Sequence, residues 1–506
     1  MADRSDQVDR RSFIRTSAAT SAALSFSAAS YSRTIGSNER IGIALLGCGA
    51  RAQAHLDIIK RLGQGGANAR IVAVCDVWDG LEDEYLQEFG GKKNRRKYCQ
   101  GLYPSARKAG LNPSDPTQVN KNFHAILELK HVDAVCVATP DHWHARMAIA
   151  SIEAGKDAYI EKPLCRTYAD AIRISELAQK RNVVVSVGIQ SLCDPSWAIC
   201  RERIRAGQLG HLVLAQTSLY RNDIRGHARF IRLCSEMTPK TIDWPMFLGM
   251  DSPHATRADA VAAPVFDRAL YGHWRCYGRF CDGLLSDLLL PRATCLLYAM
   301  DLQIPTRVSA SAGLYVERDG RDLPDLVSVI ADFREGCQLL LTGSTLSNYP
   351  GEESIRGRLG AIRFTQAGID FFADNPSNGS VYPKRLGDKA FTSSESIRVG
   401  KPSNETETLW LDFLDCIRHR TRQTISPPEL SAPGIALTQM SKHSYQTGQA
   451  VGPECLLPRD SDSSSSVDPH LAGRDHHWQT TAGELQPPSW IKLAGPWNQG
   501  IDPARL

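Results

Sequence analysis

The residues of this chain most able to do chemistry stand just past the ends of short apolar runs. Gly47-Cys48-Gly49-Ala50-Arg51-Ala52 follows the run Ile41–Leu46. A glycine that turns the chain off a strand, a second glycine without a side chain and a small residue three positions later suit one ligand. They let a pyrophosphate approach the backbone N–H groups that open a helix. Asp76 closes a second run, Arg70–Cys75. A carboxylate there can accept both hydroxyls of an adenosine ribose and repels a 2′-phosphate, which favours NAD over NADP; its alternative role is a helix N-cap. Thr139-Pro140-Asp141-His142-Trp143-His144, Glu161-Lys162-Pro163 and Gln190 complete the set. Neither His142-Trp143-His144 nor His476-His477 has the spacing of a metal site, so no metal is expected.

Strands and helices in alternation must position these groups. A helix over Gln53–Leu62 ends at Gly63-Gln64-Gly65-Gly66, and strands are predicted at Val132–Ala138, Asp157–Ile160 and Val183–Ile189. Between them lie a helix from Pro140 to Gly155 and a helix over Tyr168–Lys180 with Ala171, Ile174, Leu177 and Ala178 on one face. This is the pattern of a parallel, doubly wound sheet, in which ligands gather at the C-terminal strand edge. Gly47, Asp76, Thr139, Lys162 and Gln190 all fall at that edge. Residues 90–122, with the basic run Gly90–Lys97, are expected to be a solvated loop.

Past about residue 205 the pattern changes. Leu212–Tyr220, Arg307–Val316, Leu326–Phe333 and Cys337–Gly343 are strand-like without intervening helices, and Glu335-Gly336 marks a hairpin turn. The expectation is an α+β domain with a mostly antiparallel open sheet, one face over the cofactor and the other free for contact with a second copy. Pro239–Gly283 reads as an aromatic loop segment and residues 404–450 as largely helical. The domain division is therefore 37–165 for the dinucleotide domain, 166–450 for the substrate and dimerisation domain, and 451–506 for a tail rich in Ser and Pro. Within that tail Ser463–Ser466 reads as disordered, and Trp490 and Trp497 as local docking points.

The chain has 506 residues and a formal charge of +4, with no basic stripe to suggest nucleic acid or a membrane surface. Its 14 cysteines follow no repeating spacing, and Cys75 and Cys136 sit inside apolar runs, so they read as small buried hydrophobes. Residues 1–36 read as an address. Asp9-Arg10-Arg11-Ser12-Phe13-Ile14-Arg15, followed by an Ala/Ser stretch to about Ser30, resembles a twin-arginine export signal. The expected location is then the periplasm, or the cytoplasm if the segment is only a disordered tail.

Taken together, these motifs resemble the Gfo/Idh/MocA oxidoreductases, the glucose–fructose oxidoreductase and inositol dehydrogenase family, over roughly residues 40–345. The likeness rests on Gly47–Ala52, Thr139–His144 and Glu161-Lys162-Pro163. Weaker support comes from Gly188-Ile189-Gln190 and from Trp274-Arg275 leading to Asp282–Asp287. The resemblance implies a Rossmann domain, NAD, a sugar or cyclitol substrate and a homo-oligomer. It implies cofactor contacts from Gly47, Gly49, Ala50, Arg51, Asp76, Thr139, Pro140, His142, His144, Glu161, Lys162 and Gln190. It also implies substrate contacts from Lys162, Trp274, Arg275, Tyr277, Asp287 and Arg292.

Hydride transfer from a secondary alcohol needs a group that polarises the oxygen and a group that takes its proton. Lys162, with Pro163 fixing its turn, suits the first task. In the family, a helix carries an Asp and, four residues later, a His that acts as acid/base. Here Asp287 matches the Asp, but Pro291 stands at the His position, and Leu288-Leu289-Leu290 fills the space between. Proline cannot exchange a proton. Three readings follow: a dehydrogenase with a substitute base (Asp287, Tyr277 or His273), a redox-assisted glycoside- or ether-cleaving enzyme, and a binding protein without turnover in which Arg292 grips an anionic group.

Overall fold

The computed structural model describes residues 40–89, 92–222, 226–229, 232–250, 263–373 and 394–457. The twin-arginine stretch, Ser463–Ser466, His476-His477, Trp490 and Trp497 lie outside these residues. Two sheets organise the rest. The first has six parallel strands in the order β5-β2-β1-β6-β7-β8, and the second has eight in the order β10-β11-β12-β9-β13-β14-β15-β16.

In the first sheet β1 (Ile41–Leu46) is buried at every position and pairs with β2 (Ala69–Cys75) on one side and β6 (Ala134–Val137) on the other. Burial on both faces is why these strands read as unbroken apolar runs. β7 (Asp157–Glu161) and β8 (Val185–Gly188) continue the sheet in parallel. The sheet therefore runs past residue 165, where the sequence placed the domain boundary: β8 comes after it and still belongs to the first layer.

The described part of 90–122, the stretch expected to be a loop, is not one. β3 (Leu81–Phe89) and β4 (Lys92–Gln100) form an antiparallel hairpin, the helix Leu102–Ala109 follows, and the short β5 (Val119–Asn120) extends the first sheet. The basic run hid a strand because its partners are charged too. Arg95 and Lys97 face Glu84 across the hairpin at 3.5 and 3.9 Å, and Tyr98 is buried edge-on against Trp78.

The second sheet is mostly antiparallel. β9 (Leu212–Tyr220) is central; β10 (Arg307–Gly313), β11 (Leu326–Asp332) and β12 (Gln338–Ser344) lie to one side. On the other side stand β13 (Ser354–Gly357), β14 (Gly360–Thr365), β15 (Gly368–Ala373) and β16 (Glu395–Arg398), which the sequence pattern did not reveal. β9 and β12 run parallel and every other neighbouring pair runs antiparallel. The described chain also passes residue 450: Val451 bridges to Val308, and a 3₁₀ turn covers Pro453–Leu456.

One helix crosses the expected domain division. Glu405–His419 lies within the 166–450 segment, yet Leu409, Trp410, Phe413, Leu414 and Ile417 pack into the core of the first domain with Leu56 and Ile59. Trp410 is fully buried and stacks on Tyr159 with centroids 4.5 Å apart. Truncating a buried tryptophan leaves a large cavity, typically costing about 3–5 kcal/mol. Trp410→Ala is therefore expected to lower the urea midpoint of the first domain, measured by far-UV circular dichroism. A change under about 1 kcal/mol would mean the helix is not integral to that domain.

Candidate functional site

The C-terminal edge of the first sheet carries the expected residues in a defined order. Gly47 turns off β1 at φ +86°, and a Cβ there would lie 2.8 Å from the carbonyl carbon and oxygen of Ala138. Gly49 is the N-cap of the helix Ala50–Gln64, which no side chain caps, and a Cβ on it would meet nothing within 4 Å. The helix thus opens with unclaimed N–H groups beside a vacant space.

Asp76 sits half-buried at the end of β2. Its Oδ2 accepts from Cys48 N–H at 2.6 Å and its Oδ1 from Trp78 N–H at 2.8 Å. The carboxylate staples the glycine turn to the neighbouring strand, in place of the helix-cap alternative. Burial pushes its pKa up to about 6 against the pull of these two N–H groups.

Arg51, Glu161 and Gln190 meet one another. Glu161 is 6% exposed, and its Oε1 accepts from Arg51 Nε (2.8 Å), His55 Nε2 (2.9 Å) and Gln190 Nε2 (3.2 Å). Burial alone would raise its pKa; the His55 hydrogen bond and the Arg51 charge win and bring it to about 2. Trp410 Nε1 donates to His55 Nδ1 at 2.9 Å. An indole N–H only donates, so Nδ1 accepts and Nε2 carries the proton that goes to Glu161. His55 came with no signal in the sequence beyond its place one helical turn after Arg51.

The next residue, Lys162, points at the second domain. Its Nζ donates to Asp287 Oδ1 and to the Asp287 carbonyl, both at 2.7 Å. Asp287 lies in a π-helical turn, Leu285–Leu289, that leads into the helix Leu290–Met300. Its other oxygen faces His227 Nε2 at 3.2 Å, and Arg275 Nε stands 3.6 Å from Oδ1, stacked over Trp274 at 4.1 Å. Burial opposes ionisation, but the Lys162 charge, the His227 hydrogen bond and Arg275 hold Asp287 well below the usual carboxylate range. Asp141, bonded by Ser286 Oγ at 3.3 Å, shows the opposite balance: burial raises it despite His144, Arg275 and Lys162 nearby. Two carboxylates with opposed shifts beside one lysine can divide acid and base roles. Neither Asp141 nor His227 was singled out from the sequence.

Several expected site residues do other work. The ring of His142 is held by Phe247 and Phe280, its Nε2 bonds the Phe247 carbonyl at 2.8 Å, and burial drives its pKa down to about 3. His144 ties two strand ends together, with Nδ1 on the Pro163 carbonyl and Nε2 on the Thr139 carbonyl. Pro140 is the extended N-cap of the helix Asp141–Glu153. Tyr277 lies in the aromatic cluster with Trp244, Phe247 and Phe280, and His273 Nδ1 faces Arg229 Nη1 at 2.9 Å. Of the expected substitute bases, Asp287 thus lies on Lys162 and His227, Tyr277 in the aromatic cluster and His273 on Arg229. Arg292 faces Glu353 at 3.6 Å and the Trp197 ring.

A dinucleotide fits this edge. The space above Gly49 is open, and Thr139 Oγ1 is buried without a hydrogen-bond partner. Strand order places Asp76 (β2), Gly47 (β1), Thr139 (β6), Lys162 (β7) and Gln190 (after β8) in a row. With strands about 4.8 Å apart, Gly47 and Lys162 are separated by roughly 10 Å along the edge.

Comparison with known proteins agrees. Residues 41–189 match the Gfo/Idh/MocA family, described as an oxidoreductase family with an NAD-binding Rossmann fold. Inositol 2-dehydrogenase 1 of Saccharopolyspora erythraea is 31% identical over 176 residues, 34% of this chain and 44% of that protein. The scyllo-inositol 2-dehydrogenase (NAD(+)) of Bacillus subtilis is 28% identical over 171 residues, 34% of this chain and 42% of that protein. The chain thus matches less than half the length of these relatives. A levoglucosan dehydrogenase solved with NADH and levoglucosan aligns at a TM-score of 0.53 and 15% identity, covering 82% of this chain and 99% of that one. An oxidoreductase from Thermotoga maritima aligns at 0.55 and 17%, covering 83% and 100%. These structural likenesses establish the shared fold.

The Glu161 cluster has a pH signature. A carboxylate depressed from 4.5 to about 2 stabilises the fold above its unfolded pKa, by on the order of 3 kcal/mol, and loses that contribution as pH falls from 4.5 towards 2. Glu161→Gln should destabilise the protein at pH 7 and flatten the acid limb of stability against pH in urea titrations. An acid limb as steep as that of the wild type would place the dependence elsewhere.

Proposed function

We propose that this chain is a Gfo/Idh/MocA-type oxidoreductase that uses NAD to oxidise or reduce a CH–OH group of a sugar, cyclitol or related polyol. One observation carries the reading: Lys162, held by Asp287, stands on the same strand edge as an open glycine turn. The family match over the first domain and the inositol dehydrogenases among the relatives support it.

Gly47, Gly49 and Ala50 would hold the dinucleotide's pyrophosphate, Asp76 its adenosine ribose, and Thr139 and Lys162 the nicotinamide side. When bound, it supplies the acceptor or donor of hydride. Arg51, Glu161 and Gln190 act one layer back, fixing the turn that presents Lys162. His144 does the same by joining the Thr139 and Pro163 carbonyls. Lys162, held by Asp287, donates a hydrogen bond to the substrate oxygen and stabilises negative charge there as the C–H bond breaks. Arg275, stacked on Trp274, adds a second cation at the same carboxylate. The side chains of Trp244, Phe247, Phe280 and Leu288 make the surroundings apolar, which strengthens each of these interactions.

The reading includes export through the twin-arginine-like segment and assembly into a homo-oligomer through the sheet face that exposes Ile330 and Phe372. Export requires that Arg10→Lys/Arg11→Lys shift the protein from periplasm to cytoplasm on fractionation. Assembly requires a dimer or tetramer by light scattering.

Purified protein is expected to release NAD(H) on denaturation, and a panel of inositols and sugars is expected to change absorbance at 340 nm. Lys162→Ala should lower turnover by roughly 10²–10⁴-fold while the protein still binds NADH, read by fluorescence. Protein that binds no dinucleotide would end the proposal. Products formed without net NADH would replace it with redox-assisted cleavage.

A further inference from the structure

We propose that the substrate is a sugar acid, whose carboxylate meets Arg275 while its reacting CH–OH meets Lys162. The inference rests on the dehydrogenase reading above and names the class of polyol. Both cations stand on one oxygen: Asp287 Oδ1 is 2.7 Å from Lys162 Nζ and 3.6 Å from Arg275 Nε. The amine and the guanidinium are therefore close enough to hold two groups of one small molecule, an alcohol and a carboxylate a few carbons apart.

Arg275 has donors to spare. Lys162 spends two hydrogen bonds on the Oδ1 and carbonyl of Asp287, which leaves one N–H for a substrate oxygen. At 3.6 Å, Arg275 Nε is past hydrogen-bond distance from that carboxylate, and no N–H of its guanidinium has a hydrogen-bond partner among the described residues. The side chain is 32% exposed, so a ligand can reach it. Its place is nevertheless fixed. The Trp274 ring packs with Trp244, Phe247 and Phe280, and the guanidinium carbon lies over that ring, 4.1 Å from its centroid. Cys281 Sγ bonds the Arg275 carbonyl at 3.4 Å. The indole covers one face of the guanidinium and leaves its edge, where paired N–H groups match the two oxygens of a carboxylate. A lone hydroxyl matches that fork poorly.

The charge of the surrounding wall points the same way. Among the described residues, the carboxylates of Asp282 and Asp287 are shared by four cations. Arg166 and Lys442 stand on Asp282 at 2.9 and 2.7 Å, and Lys162 and Arg275 stand on Asp287. Asp141 is a third carboxylate beside them, and burial favours its neutral form. Even with Asp141 ionised, these groups carry one positive charge in excess. Further out, Arg229 and Arg321 are matched by Asp319 and Glu317. A cation held against an apolar aromatic cluster favours an anionic ligand over a neutral one. The glycine turn that suits a pyrophosphate stands roughly 10 Å away along the sheet edge and does not answer this charge.

The test titrates the full-length protein, saturated with NADH, by isothermal calorimetry with two matched pairs: glucuronate and glucose, then galacturonate and galactose. Each titration is repeated on Arg275→Met and Arg275→Lys. The wild type should bind the acid of at least one pair roughly 10- to 100-fold more tightly than its neutral partner, the span that charge-assisted hydrogen bonds supply. Arg275→Met should bind acid and neutral sugar alike. Arg275→Lys, which keeps the charge and loses the fork, should fall between. A wild type that binds neither acid more tightly than its neutral partner overturns the inference, as does a preference that survives in Arg275→Met. Either result, with NADH still bound, leaves the dehydrogenase reading intact. A wild type that binds no NADH overturns both. Should Arg275→Met lose its cooperative melt, Arg275→Lys decides: a weakened preference supports the inference and an unchanged one rejects it.

Discussion

The buried carboxylate of Glu161 is the constraint on which the rest of the site depends. A charge at 6% exposure is tolerable only when its partners replace the water it loses. Here three donors converge on one oxygen: Arg51 and His55 from the helix after the glycine turn, and Gln190 from the segment after β8. Trp410, from a helix some 250 residues further on, sets the tautomer of His55 and so the direction of its hydrogen bond. Three stretches of chain are thereby tied to the last residue of β7. Lys162 is the next residue, and its position follows from that knot.

A second carboxylate, Asp287, joins the domains from the other side. The first domain offers a cation at a strand end, and the second answers with an anion already gripped by His227 and Arg275. Asp287 is half-buried, and three cationic or donor groups favour its charged form over its desolvation, whereas burial prevails at Asp141 nearby. That contrast gives a compact site an anion and a more readily protonated acid within one wall. With Pro291 unable to exchange a proton, the wall beside Lys162 is still furnished with titratable groups, Asp287 in a π-helical turn and Asp141 at the start of a helix.

The aromatic segment between the sheets has its own part. Phe247 accepts from the Trp143 indole at 2.9 Å through its carbonyl, and also bonds His142. This holds the histidine ring in the packing of Phe247 and Phe280.

Much of the first domain was legible in the amino-acid order because strands buried on both faces must be apolar throughout. The turns that follow them must carry small or special residues whatever the rest of the chain does. The glycine turn, Asp76 and Lys162 are local facts of that kind. The pairing of β3 with β4 was not legible, since its exposed charge pairs mask the few apolar residues, Leu81, Tyr85 and Tyr98, that pack against Trp78. Nor was the place of the helix Glu405–His419, whose apolar stripe says that it packs but not against what. Only the tertiary structure decided the order of strand ends along the edge, because crossovers place β2 and β6 on opposite sides of β1. It alone brought His227 to Asp287 across 60 residues and Lys162 to Asp287 across 125. Such contacts are fixed by how two domains pack, and no local periodicity encodes them.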